Sequence, residues 1–313
     1  MKNTLIAIGE ALIDFIPNKT GCDFSEVTAF APKIGGAPTN VLGAFSKLGG
    51  KTQLITQLGD DPFGHKIADA LTGFHIGTDH VLFTKKANTA LAFVSLDKIG
   101  NRTFSFYRNP SADMLYSADN LTEDIFNDCF ALHFCSVSLV DSPMKEAHKK
   151  AIEFAKSSGA IISFDPNIRF PLWNDKRALK TAIDEFLPTA DIVKVSDEEI
   201  EFITGTADIK KGCMELLRYA KLVICTCGAG GAYAYTDKAK AFAESNGVEA
   251  KDTTGAGDAF IGSFLYGLHR YGFDDSLTES RLKLLLKASN EYCGESVMRY
   301  GAIESYPDFI NLQ

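Results

Sequence analysis

The sequence predicts an α/β fold, with one body built on a mainly parallel central sheet and a small β-sheet lid. Three observations carry that prediction. Short β-branched runs alternate with helical patterns at strand–helix–strand spacing. Those runs are apolar almost throughout, as strands covered on both faces are. Two regions, about 15–34 and 88–110, instead alternate apolar and polar residues with no helix between them, which suits a small antiparallel sheet with one open face. At 313 residues the chain suits a single domain, 1–313, that includes this lid.

The elements follow in order. "LIAIG" (5–9) is a strand, and "EALID" leads from it into the first lid region. Gly35-Gly36 then precede a helix from about Ala37 to Leu48, with Val41, Leu42, Phe45 and Leu48 on its apolar face and Asn40 outside that stripe. "NTALAFVSL" and "NRTFSFYR" supply the second lid region. "ALHFC" (131–135) precedes a helix from Ser142 to Ser158, and "AIISFD" (160–165) precedes one from Asp175 to Leu187. "DIVKV" (191–195) precedes "SDEEIEFITG", and "LVICTC" (222–227) follows one more helical stretch. Near the end, Phe260, Phe264 and Leu268 stand at i, i+4, i+8 in a helix that opens on "TTGAGDAF".

Composition narrows the function. A net charge of −8 argues against nucleic-acid or anionic-membrane partners, which need a basic surface, and leaves a small molecule as the default ligand. The seven cysteines form no CxxC pair and several sit in apolar runs, so they read as core thiols in a reducing compartment. The six histidines show no HExxH or similar spacing, so no structural zinc site is expected. "MKNTLIAIGE" lacks a long apolar signal core, and no apolar run approaches the ~18 residues of a membrane span. A soluble cytoplasmic protein is expected.

Ligands of parallel sheets bind outside the carboxyl ends of the strands. Here those ends read "FDPNIR", "KVSDEE" and "CGAGG". Gly255, Ala256 and Gly257 stand at a helix N-terminus, where free N–H groups and the dipole favour an anion, and Asp258 falls in the first turn. An acid there is also an ordinary dipole partner, and the two readings are balanced. The Rossmann fingerprint fails because Phe260 stands where its third glycine belongs, and no Walker A motif occurs. Gly35, Gly36 and Asn40 can present donors to hydroxyls, or be a turn and an ordinary helix. Asp14 at a strand end can accept from two adjacent hydroxyls, or be a turn residue. Arg102, Phe104, Phe106 and Arg108 share one face of a strand, where the arginines reach a ligand or snorkel over aromatic packing. Arg169 contacts a ligand or pairs with an acid. One of Glu198, Glu199 and Glu201 can help hold a hydrated Mg²⁺, although acids opening a helix usually serve the dipole.

Taken together and in this order, the motifs resemble those of the PfkB (ribokinase-like) family of sugar kinases. "GGAPTNVLGAFSKLGG" looks like the family's N-terminal signature, "DTTGAGDAF" like its C-terminal one, and "GDDPFG" also fits, over about Ile8 to Pro307. The resemblance implies a ribokinase-like three-layer body with a β lid and an ATP-dependent kinase. It casts Asp258 as the base, with Gly255, Ala256 and Gly257 as the anion hole. It places Asp14, Gly35, Gly36, Asn40, Phe104, Arg108 and Arg169 on the sugar. It places Lys194, Thr226, Gly228, Gly231, Gly257 and Asn290 on the nucleotide. Glu199 would meet Mg²⁺ through water, and Asp252 and Thr254 a monovalent cation such as K⁺. Ser196 departs from the family's NxxE asparagine. "FYRNPSADMLY" and "FDPNIRFPLW" look most like fructokinases, with 2-keto-3-deoxygluconate kinases sharing parts of both. Phosphorylation of D-fructose to fructose 6-phosphate is therefore expected, with a homodimer joined through the lids. A non-catalytic sugar or nucleotide sensor is the rival from another class.

Overall fold

The computed structural model describes residues 2–19, 21–96, 102–274 and 277–312. The chain runs through β1 (Thr4–Ile8), β2 (Leu12–Pro17), β3 (Phe30–Gly35), α1 (Ala37–Lys47), β4 (Lys51–Gly59), α2 (Pro62–Gly73) and β5 (Val81–Thr84). It continues through β6 (Leu91–Leu96), β7 (Arg102–Tyr107), β8 (Cys129–Cys135), α3 (Pro143–Ser157), β9 (Ile161–Asp165), α4 (Lys176–Phe186), β10 (Ile192–Ser196) and α5 (Asp197–Thr204). It ends with α6 (Ile209–Leu216), β11 (Leu222–Thr226), β12 (Ala232–Tyr235), β13 (Lys240–Ala243), α7 (Ala256–Tyr271) and α8 (Glu279–Val297).

Nine strands form the body sheet in the order β13-β12-β11-β10-β9-β8-β1-β4-β5. From β11 to β5 every pair is parallel, and β12 and β13 close one edge antiparallel. One core cluster joins the sheet to α1, α7 and α8, with Phe45, Phe260 and Phe264 at 0–2% exposure. The other joins its opposite face to α3, α4, α5 and α6 through Phe134, Phe164 and Phe186. Each such phenylalanine contributes ~2–3 kcal/mol of burial, so both faces of the sheet are firmly covered. Local chemistry sets the helix starts: the Asp175 carboxylate accepts from Ala178 N at 2.7 Å, and Ser196 forms a capping box with Glu199.

The lid is a four-stranded sheet ordered β3-β2-β6-β7. It is mixed rather than antiparallel, because β2 and β6 run parallel while the other pairs oppose. The chain returns to the body between them, through α1 to β5, so β6 enters from the same side as β2. Period-two alternation fixes which side chains share a face but not the direction of a neighbour. The side chain of Arg102 lies outside the described residues, as do residues 97–101 of the lid.

Candidate active site

The site forms where α1 and α7 begin against the carboxyl ends of β8, β9 and β10. Asp252 shapes the entry to α7: its Oδ1 accepts from Thr254 N at 2.9 Å and Thr254 Oγ1 at 2.6 Å, and its Oδ2 from Gly301 N at 2.9 Å. Gly255 then turns with φ +70°, a left-handed conformation that a side chain resists. Any Cβ there would collide with the Tyr306 hydroxyl, which itself donates to Gly255 O at 2.9 Å. Ala256 and Gly257 follow as the first helical residues, and the Ala256 N–H, read from sequence as part of an anion hole, donates to Thr253 O at 3.2 Å.

Asp258, in that first turn, is buried and faces two amides. Asn40 Nδ2 donates to its Oδ2 at 2.9 Å, and Asn167 Nδ2 to its Oδ1 at 3.4 Å. Burial pushes the Asp258 carboxyl up to about 6, against the pull of Asn40, Lys194 and Arg169; Asp165 adds to the rise. A helix-end position alone predicts the opposite direction, because the dipole favours the carboxylate. Desolvation of a buried carboxylate outweighs it here.

The start of α1 is built around Glu10. Its Oε1 accepts from Ala37 N at 3.1 Å and its Oε2 from Ser138 Oγ at 2.5 Å. Gly36 passes so close, at φ +105°, that a Cβ would lie 2.5 Å from Glu10 O. A Cβ on Gly35 would strike the Asp14 carboxylate. Glycine at both positions lets Asp14 and Asn40 border one cavity of about 190 Å³. Glu10, Phe104, Phe106, Asn167, Arg169 and Asp258 line it as well. Arg169 comes from the body and sits 5.9 Å from the ring of Phe104 on the lid, a cation–π contact across the cavity mouth.

Arg108 is placed elsewhere. It is buried in an ion pair with Asp113, and also donates to Val137 O at 2.7 Å and Ser138 Oγ at 3.0 Å. The guanidinium thus anchors the end of β7 to the body and does not line the cavity.

A model of the pfkB family carbohydrate kinases matches residues 2–308. The chain belongs to that family. It is 42% identical to "Probable fructokinase-5" of Arabidopsis thaliana over 98% of this chain and 96% of the relative. The fructokinase of Xylella fastidiosa with bound ATP superposes with a TM-score of 0.87 at 34% identity, covering 98% and 96% of the two chains. A double mutant of the fructokinase of Vibrio cholerae O395, in a fructose-, ADP- and potassium-bound form, gives 0.87 at 31% identity over 98% and 96%.

The remaining residues of this pfkB kinase lie toward β10 and β11. Strand register sets Ser196 beside Thr226, so both strand ends open at one level. Gly228 and Gly231, with φ +50° and +98°, form the tight turn that follows. Lys194 Nζ reaches Asp165 Oδ2 at 2.9 Å, and a Cβ on Gly257 would stand 3.0 Å from the same nitrogen. Asn290 lies under this region and spends its amide N–H groups on Ala243 O at 2.9 Å and Glu244 O at 3.1 Å.

The oxygens present suit cations in a limited way. Glu199 accepts from Ile168 N at 2.6 Å and Ser196 N at 2.9 Å, so its donor set fits contact through water rather than a tight metal cage. Asp252 and Thr254 offer a carboxylate and a hydroxyl side by side, a hard-cation donor set. Among the described residues no group of three or more His, Cys, Asp or Glu is placed to hold a metal ion. Sequence reasoning missed Glu10, Asp165, Asn167 and the Arg108 partner Asp113. Asp165 ends a strand at the site and Glu10 and Asn167 follow such strands, and that position was the available signal. Asp113 carried none.

Proposed function

We propose that this pfkB chain transfers the γ-phosphoryl group of ATP to the 6-hydroxyl of D-fructose, giving ADP and fructose 6-phosphate. The observation that carries the reading is Asp258, a buried carboxylate on the first turn of α7 that borders a sugar-sized cavity. Fructokinases among the relatives and solved structures support the same substrate. Phosphoryl transfer asks the protein for alignment and charge stabilisation more than for covalent chemistry. In this scheme Asp258 takes the proton of the attacking hydroxyl, while the N–H groups of Gly255 and Gly257 face the charge that spreads over the transferring group, and that of Ala256 joins them on leaving Thr253 O. Asp14, Gly35, Gly36, Asn40, Phe104 and Arg169 hold the sugar, and Arg108 acts through its anchor. Lys194, Thr226, Gly228 and Gly231 hold the phosphates, and Asn290 supports the 243–244 segment beside them. Glu199 would hold Mg²⁺ through water, and the ion would offset phosphate charge; Asp252 and Thr254 would suit K⁺.

The cavity itself favours a neutral sugar. Among the described residues lining it, Arg169 is the one cation against Glu10, Asp14 and Asp258. Arg108, the other arginine read from sequence toward the sugar, is held by Asp113 and adds no second cation to the cavity. This ranks fructose above 2-keto-3-deoxygluconate. An ADP-release assay over a sugar panel tests the reading: fructose should give the highest kcat/KM. Absence of fructose-dependent ADP release would overturn it, as would faster turnover of the sugar acid.

The lid also suggests a homodimer. Phe93 stacks on Phe15 at 4.7 Å and meets Phe30 and Tyr107 at 5.2 and 5.3 Å, while Tyr107 is 66% exposed. A second lid is the partner proposed for this aromatic face. All seven cysteines are free thiols, which supports a cytoplasmic location, and no described helix is long and apolar enough to cross a membrane.

A further inference from the structure

We propose that Asp165 is a positioning residue that sets the base side and the phosphate side of the reaction from a single carboxylate. The inference rests on the kinase reading above and extends it to a residue with no direct part in the chemistry. Asp165 ends β9 and is fully buried. Its Oδ1 accepts from Asn167 N at 3.1 Å, closing a turn in which Asn167 takes φ +44°. Asparagine tolerates this left-handed conformation better than most residues. The turn aims Asn167 Nδ2 at the Asp258 carboxylate, 3.4 Å away.

The other oxygen works on the neighbouring strand. Asp165 Oδ2 accepts from Lys194 Nζ at 2.9 Å, and Lys194 is 6% exposed. That nitrogen lies against Gly257, at the start of α7. An isolated ammonium at this depth would be costly to keep charged. Asp165 keeps it charged and in place, and an ammonium has three protons, so two remain for phosphate oxygens. A buried ion pair is by itself weak evidence for more than structure. Here one carboxylate holds both the main-chain N–H of Asn167, whose side-chain amide meets the base, and the cation at the anion-binding turn, and that double contact separates it from a packing pair.

Asp258 reports on the pair. From α1 it meets Asn40; from β9 and its loop, Asp165 and Arg169; from β10, Lys194, with Glu199 of α5 behind it. The Cys135 thiol and Tyr306 phenol also face it, and Glu10 and Asp14 stand across the cavity. Asp165 raises the Asp258 carboxyl and Lys194 lowers it. Removing Lys194 must therefore raise the base, whereas removing Asp165 also releases Lys194 and sets two opposed effects against each other.

The test uses Asp165→Asn and Lys194→Met in the full chain, with the pH dependence of kcat/KM and ATP affinity by calorimetry without sugar. Asp165→Asn should lower kcat roughly 10- to 100-fold and weaken ATP binding. Lys194→Met should weaken ATP binding and shift the limb to higher pH. An acid limb that stays put or falls in Lys194→Met, unchanged kcat in Asp165→Asn, or ATP affinity unchanged in either variant would overturn the proposal. Should Asp165→Asn not fold, the direction of the Lys194→Met limb decides alone. If wild-type protein ignores fructose, the kinase reading fails separately, and ATP affinity still decides this inference.

Discussion

Asp258 shows two elementary effects in competition. The helix dipole stabilises its charge by roughly 0.3–1 kcal/mol, while removal from water works against it by more, and the carboxyl titrates at about 6. A base must be deprotonated to act, so kcat/KM should fall with a one-proton slope below about pH 6, measurable in buffers of constant ionic strength. The stability sign is opposite to that of an ordinary surface acid. The folded value of about 6 lies above the reference 3.8, so the stabilising contribution is complete below about pH 4 and is lost as pH rises through 6. At pH 8 the ionised group costs stability. Asp258→Asn should therefore gain about 1–3 kcal/mol in urea unfolding at pH 8, with the gap closing toward pH 4. The same variant should lose ~10²–10⁴ in turnover while ATP binding stays measurable by calorimetry. A second residue prediction concerns Arg169, which borders the sugar cavity. Arg169→Ala should raise KM for the sugar more than KM for ATP.

At the scale of elements, the site depends on how two helices begin. Gly36 has no room for a Cβ beside Glu10 O. Gly36→Ala should raise the fructose KM at least tenfold and lower Tm, with ATP affinity near wild type. Gly255→Ala should lower Tm too, by the left-handed cost of about 1–2 kcal/mol plus the clash with Tyr306. These helix starts were legible in the sequence because glycine pairs interrupt the chain just before an apolar stripe sets in. The strand ends were legible for the same reason: apolar runs stop at "FDPN" and "KVS". What was not legible depends on distant partners. Alternation in "RTFSFYR" groups Arg108 with the cavity-facing phenylalanines, yet nothing in the pattern says that Asp113 captures its guanidinium. Nor does Asn40, outside the apolar stripe of α1, announce that its partner lies 218 residues away on α7. Helix periodicity describes one element, and the burial of Asn40 is made by another.

At the scale of the whole molecule, the lid carries the prediction of assembly. Phe93 is the hub of its aromatic face, touching Phe15, Phe24, Phe30 and Tyr107. Phe93→Glu should convert a dimer into a monomer in analytical ultracentrifugation, and a wild-type monomer would remove the lid from assembly. The body has a different order of construction. β1 lies inside the sheet between β4 and β8, and the face of α1 that closes the core is covered by α7, from Ala256 onward. During synthesis, then, the first half of the chain can form its strands and α1 long before their cover exists. Until α7 leaves the ribosome, Val41, Leu42 and Phe45 have no helix to pack against, and the nascent chain presents that stripe to whatever surrounds it. A fragment ending before residue 256 should bind an apolar dye and need chaperone help to stay in solution, so completion of the fold and completion of the catalytic apparatus coincide in the last fifth of translation.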